Sequence, residues 1–149
     1  MPDGCDVPLR HAASEEIRQI LRTATVIAVV GLSDKPERDS YRVAAYLQSH
    51  GYTMVPVNPN VAAVLGERAY PDLAALPVRP DIVDIFRKSE AVPDIVEHAI
   101  AIGAKVIWMQ EGIVHNVAAA RARAVGLQVV MNRCIMKEHR MQAATRPGA

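Results

Sequence analysis

The chain has 149 residues, half of them hydrophobic, and its 17 Lys and Arg against 16 Asp and Glu leave a formal net charge of +1. That length suits one domain, able to bury about 70% of the surface its unfolded form exposes, and the charge balance excludes a general electrostatic pull toward nucleic acid or membrane. Cys5 and Cys134 make no disulfide framework, no apolar run approaches the ~20 residues of a membrane span, and the opening MPDGCDVPLRH lacks a signal-peptide core; a cytoplasmic protein is expected.

Ser14 is expected to cap a short helix whose Ile17, Ile20, Leu21 and Ala24 follow the i, i+3, i+4, i+7 spacing. Apolar runs of strand length follow at Val26 to Val30, Thr53 to Val57, Ile82 to Phe86, Val106 to Met109 and Leu127 to Met131. They are continuous rather than alternating, the pattern of strands covered on both faces. Between them lie three helical patterns: Ser40 to His50, with Val43, Ala44 and Leu47 on one face; Glu90 to Ile102, with Pro93 in its first turn; and the alanine-rich Asn116 to Val125. Gly51, Gly103 and Gly126 supply their stops.

Val57 to Pro80 breaks this rhythm and reads as one irregular crossover with a short helix near Asp72 to Leu76. The ends, 1–13 and 142–149, are expected to be flexible. The alternation predicts an α/β fold in a single domain: a Rossmann-like, doubly wound parallel sheet of about five strands with helices on both faces.

In such a sheet the ligand lies beyond the carboxyl ends of the strands, where successive connections part to opposite faces. Gly31 ends the first strand and delivers Leu32 to Asp39 to that mouth, where loop amides and a helix start offer partial positive charge to a phosphate. The loop GLSDKP matches neither G-x-G-x-x-G nor G-x-x-x-x-G-K-[ST]. After the second strand the chain offers Asn58, Pro59 and Asn60 where an NAD site has an acid for the ribose. Lys35, Arg38 and Arg42 flank the loop and suit a polyanionic nucleotide; as ordinary surface charges they would instead join Asp34, Glu37 and Asp39 in a solvated face.

The stretches VIAVVGLSDKPERDSYRVAAYL, MVPVNP, DIVDIFRKSEAVPDIVEHAIAIGAKVIWMQEGI and GLQVVMNRCIMKEH resemble the CoA-binding domain family, small stand-alone proteins similar to the N-terminal domain of the succinyl-CoA ligase α-subunit. The resemblance runs from about Thr25 to Arg140. It implies a Rossmann-like domain that holds coenzyme A extended across the strand ends. Gly31, Ser33, Lys35, Pro36 and Ser40 would make the first phosphate loop, with Tyr41 beside it. Val57, Asn58 and Pro59 would wall the adenosine, Phe86 and Arg87 would lie along the nucleotide, and Met109, Gln110, Glu111 and Gly112 would line the pantetheine path. Relatives often carry a basic residue where Asn60 stands, so Arg38, Arg42 and Arg68 are the substitutes for a 3′-phosphate contact. The ligase subunit's second domain, with its phosphorylated histidine, is not expected here.

The function expected is non-catalytic binding of coenzyme A or an acyl-CoA. No catalytic constellation emerges: Glu111 is expected to accept hydrogen bonds from loop amides rather than to do acid–base work. His50, His98, His115 and His139, with Cys134, show no metal-binding spacing. Trp108 and Met109 read as core, and Cys134 as a small buried hydrophobe, with exchange against the CoA thiol as its alternative role. Two other readings stand beside this one, a nicotinamide-nucleotide-dependent oxidoreductase or redox regulator and an accessory subunit of an acyl-CoA ligase; a second copy of the chain or an acyl-CoA enzyme are the protein partners considered. Gly31→Val is expected to block phosphate approach in a protein that still folds.

Overall fold

The structure, a computed structural model, describes residues 7–145. In chain order the elements are α1 (Ser14–Thr23), β1 (Val26–Val30), α2 (Asp39–Ser49), β2 (Thr53–Val57), β3 (Ala63–Val64), β4 (Glu67–Arg68), β5 (Ile82–Ile85), α3 (Val92–Ala101), β6 (Val106–Met109), α4 (Asn116–Ala124), β7 (Gln128–Val130) and α5 (Ile135–Thr145). Five strands form one parallel sheet in the order β2-β1-β5-β6-β7. This is the Rossmann-like doubly wound sheet that the sequence predicts.

The continuous apolar runs bury side chains on both faces. Ala28, Val83, Ile85, Ile107 and Met109 meet Val92, Val96, Ala119 and Ala122 of α3 and α4. On the other face Ile27, Val29, Ile82, Trp108 and Val130 meet Ile17, Leu47 and Ile135 of α1, α2 and α5. The chain therefore leaves β1 for one face and β5, its neighbour, for the other. The crevice that this divergence opens lies beyond Val30 and Ile85.

Four local features differ from the sequence reading. Ser14 lies inside the first turn of α1, where Ala13 is the cap residue and makes no side-chain bond. The crossover contains a hairpin, β3 to β4, whose two linking residues Leu65 and Gly66 both have positive φ, as a type I′ turn requires. Its short helix is a single 3₁₀ turn, Leu73–Ala75, capped by the Asp72 carboxylate accepting from the Ala75 amide at 3.0 Å. Finally, α5 carries the chain through Met141 as far as Thr145. Near the other end Val7 and Leu9 are tied to α4 by both side-chain groups of Asn116; residues 1–6, with Cys5, and 146–149 lie outside the described residues. Among the described residues no helix is long and apolar enough to cross a membrane.

Two aspartates bracket β5 with opposite physics. Burial pushes the Asp81 carboxyl up, but the Val26 and Thr25 amides, the Thr25 hydroxyl and Lys105 outweigh it and hold the group below the usual carboxylate range. Asp81 thus ties β5 to β1, and its contribution is lost as pH falls through its lowered folded value. Asp84 lies between Val29 and Trp108 in the middle of the sheet, wholly buried, with no hydrogen-bond partner for either oxygen among the described residues. Burial drives this group well above the usual range, so it is the uncharged acid that the core accepts.

The sign for Asp84 follows from the raised folded value. Its stabilisation is complete below the unfolded value of about 4 and is lost as pH rises toward the folded one. Asp84→Asn, which cannot ionise, is expected to remove that dependence. Urea unfolding of both proteins from acid to neutral pH should show the wild type losing up to about 1.4 kcal/mol per pH unit relative to the variant; parallel curves would mean that Asp84 is ionised in the fold.

Candidate functional site

At the exit of β1 the Gly31 amide donates to the Val57 carbonyl at 2.9 Å, and the Phe86 amide donates to the Val30 carbonyl at 2.9 Å. Gly31 has φ +84°, and a Cβ built on it would stand 2.5 Å from the Phe86 carbonyl oxygen and 2.9 Å from the Arg87 Cδ. A side chain is thus excluded by the protein's own backbone. This corrects the expectation that Gly31→Val would harm only phosphate approach: the substitution strikes the packing of β1 on β5 first.

Beyond Gly31, Leu32 is fully buried and pins the loop to the core. The Ser33 amide donates to Ser40 Oγ at 3.0 Å, and the Lys35 amide to Ser33 Oγ at 3.1 Å. Asn58 holds the second strand's exit in place, its Nδ2 donating to the Leu32 carbonyl and its Oδ1 accepting from the Asn60 amide. The Asn58 side chain thus serves the loop architecture, and no acid stands there.

Three clefts meet around this junction. One of about 340 Å³ is lined by Gly31, Ser33, Arg38, Asp39, Ser40 and Phe86. A wider one of about 530 Å³ adjoins it at Asp39 and Phe86 and extends past Arg42, Arg87 and Lys88 to Gln110, Glu111, Cys134 and Lys137. The third, about 240 Å³, lies toward α3 between Val30, Val57, Pro59, Leu73 and Arg87, with Asp72, Asp94 and His98 at its wall. Phe86 is shared by the first two clefts and Arg87 by the second and third, so the three adjoin one another as a groove across the strand ends.

The structure therefore brings together Gly31, Ser33, Arg38, Ser40, Arg42, Val57, Pro59, Phe86, Arg87, Gln110 and Glu111 of the residues that the sequence singles out. Others fall elsewhere. Lys35 and Pro36 are exposed on the loop outside these clefts; Tyr41 packs against the core beneath α2; Met109 is wholly buried beneath α3 and α4. Asn58 is fully occupied by backbone partners, the Gly112 amide turns to Asn132 Oδ1 at 2.7 Å, and Arg68 sits over the Tyr70 ring. Conversely, Asp39, Lys88, Ile113, Met136 and Lys137 line the wide cleft without having been singled out.

The charges divide into paired and unpaired. Arg42 bonds Asp39 and the Glu37 carbonyl. Glu111 takes the Lys137 ammonium at 3.0 Å, which raises the Lys137 pKa; no hydrogen bond from a loop amide to its carboxylate is found among the described residues, which corrects the expected role. Lys35, Arg38, Arg87 and Lys88 have no ion pair among the described residues. No group of three or more His, Cys, Asp or Glu is placed there to hold a metal ion.

The sequence model of the family described as CoA binding domain matches residues 25–140. A Bacillus subtilis protein, the uncharacterized protein YneT, is 37% identical over 131 residues, covering 88% of this chain and 97% of the relative. A solved structure of a hypothetical protein from Pyrococcus horikoshii is 42% identical, with a TM-score of 0.86, over 91% of this chain and 96% of that one. A dinucleotide-forming acetyl-coenzyme A synthetase from Ca. Korarchaeum cryptofilum, at 24% identity and a TM-score of 0.62, shares the fold over 70% of this chain and 25% of its own.

Gly31→Ala adds the smallest side chain at a left-handed position against a carbonyl oxygen. It is expected to destabilise the fold by about 3 kcal/mol, the sum of the backbone and overpacking costs. Urea unfolding measures it; a loss below about 1 kcal/mol would mean that the β5 exit can retreat.

Proposed function

Because the chain belongs to the CoA-binding domain family, we propose that the groove at the carboxyl ends of its strands binds coenzyme A or an acyl-CoA. The observation that supports this reading is the continuity of three clefts through Phe86 and Arg87. A bare mononucleotide needs one pocket, whereas a nucleotide with a long flexible arm needs a path. Arg87, Lys88 and Arg38, none of them in an ion pair among the described residues, meet the phosphates, with the loop amides around Ser33 close by. The apolar walls of Val30, Val57, Pro59 and Leu73 receive the adenine, whose amine has Asp72 and Asp94 as acceptors within the same cleft. The arm runs toward Gln110.

A nicotinamide nucleotide fits less well, since the β2 exit supplies Asn58 with both side-chain groups already engaged. The activity assigned is binding, not turnover.

Ligand that binds only the folded state raises the melting temperature. Coenzyme A at a hundred times its Kd is expected to add about 2.7 kcal/mol to stability, with smaller shifts for NAD and NADP; a nicotinamide nucleotide outperforming coenzyme A rejects the reading. Arg87→Ala should weaken coenzyme A binding by roughly 10- to 100-fold and more at low salt than at high. Arg42→Ala should cost less, because Asp39 already holds that guanidinium. Calorimetric titration of the two variants at two salt concentrations checks the order.

A further inference from the structure

The far end of the wide cleft is built more rigidly than binding an arm demands. The turn joining β7 to α5 is clamped to the end of β6 by three bonds. The Arg133 amide donates to the Met109 carbonyl at 3.3 Å, the Trp108 indole donates to the Arg133 carbonyl at 2.8 Å, and the Ile135 amide donates to Gln110 Oε1 at 3.2 Å. Cys134 lies within this clamp, nine-tenths buried yet part of the cleft wall. It is the only cysteine among the described residues.

Gln110 is also more than nine-tenths buried and lines the same cleft. The Ile135 amide can only donate, so the side-chain atom facing it is the carbonyl oxygen, and the other amide position is nitrogen. That Nε2 has no protein partner among the described residues. Only the Asp84 oxygens are both wholly buried and unpartnered among the described residues, so Gln110 Nε2 opens onto the cleft that the residue lines, where an acceptor on a bound molecule can replace water at its N–H groups. That acceptor sits beside Cys134, since the same amide grips the next residue's backbone. Lys137, three residues beyond Cys134 and on the same side of α5, adds positive charge there while paired to Glu111.

We infer that Cys134 is an acyl acceptor: it takes the acyl group of a short acyl-CoA bound in the groove, with the Gln110 amide donating to the thioester oxygen. This goes beyond binding but rests on the groove being an acyl-CoA site. The Cys134 sulfur forms a bond to the acyl carbon, and the bond from that carbon to the coenzyme sulfur breaks. One thioester replaces another, so no oxidant or reductant is needed. The thiol proton passes to solvent, and the departing thiolate takes one back. As the tetrahedral centre forms, negative charge grows on the oxygen that Gln110 addresses, and a preorganised donor at that point stabilises it. Cys134 thus becomes a stoichiometric carrier loaded and unloaded by the coenzyme.

The purified full chain is incubated with acetyl-CoA and read by intact mass and peptide mapping, alongside a calorimetric titration with coenzyme A. The expected result is saturable coenzyme A binding together with one acetyl group on Cys134. That group should be labile to neutral hydroxylamine, stripped by excess coenzyme A, and absent in Cys134→Ser. At saturating acetyl-CoA, Gln110→Leu should slow acetylation on the order of 100-fold without slowing reaction of Cys134 with methyl methanethiosulfonate, which develops no oxyanion. Binding without acetylation overturns the inference and leaves the groove reading intact, as does acetylation on Cys5 or at an equal rate in urea-unfolded protein. No binding of coenzyme A overturns both. Should Gln110→Leu fail to fold, loading and stripping of the wild type decide alone.

Discussion

The close approach of β1 and β5 at their carboxyl ends is the constraint on which the site depends. Connections leaving two neighbouring strands for opposite faces always open a crevice, but its width is set by what stands at the exits. Here the position is Gly31, with a left-handed φ, and the oxygen it faces is the Phe86 carbonyl, close enough to exclude a methyl group. The ridge between the two faces is therefore only backbone thick. Just past that ridge, Phe86 borders the two clefts toward α2, and Arg87 borders clefts toward α2 and toward α3 at once. A broader junction would leave two separate pockets in place of one groove.

Around that junction the loops are held by short side chains that use their hydrogen bonds on backbone, leaving longer side chains to face the groove. Ser33 and Ser40 accept from main-chain amides within the loop after β1, while Asn58 donates to and Asn132 accepts from a main-chain group of another segment. The loop after β1, the exit of β2 and the turns flanking β6 are thereby fixed to one another rather than to their own strands alone. Such cross-bracing suits a groove assembled from several chain segments, because these loop amides and carbonyls find partners without help from a ligand.

Much of this was legible in the sequence, because the features that fix the sheet are local. Continuous apolar runs give the strands, and the helices between them are marked by spacing and by a terminal glycine. The same locality makes the loop from Gly31 to Ser40 readable as part of the candidate site. What escaped was tertiary or disguised. Helix α5 begins IMKEHRM, and charged residues interrupt its apolar positions, with Ile135 alone among the described helix residues fully buried; no periodic stripe announces it, yet its first turn forms a wall of the wide cleft. Leu65 takes a positive φ that leucine does not advertise. Met109 and Gln110 are adjacent, but the strand's alternation sends the first into the core and places the second at the groove, a distinction lost when both are assigned to one path. Asp84 hides inside an apolar run, and only the three-dimensional register reveals it between Val29 and Trp108.

The distribution of charge along the groove also gives the proposed ligand a direction. Along the wide cleft Arg87 and Lys88 have no ion pair among the described residues, whereas Arg42 and Lys137 are each matched by an acid. Over a screening length of about 10 Å at moderate salt, the paired end presents little net field to an incoming anion, while the end toward Gly31 presents two cations not held in ion pairs. A molecule with phosphates in its middle and an uncharged arm is then drawn by its phosphates to Arg87 and Lys88. The arm is left to extend into the region where only neutral donors, chiefly the Gln110 amide, remain unsatisfied. Reversing the proposed ligand would bring its phosphates toward Glu111 and its uncharged arm toward Arg87 and Lys88, so the same charges that favour one orientation disfavour the other.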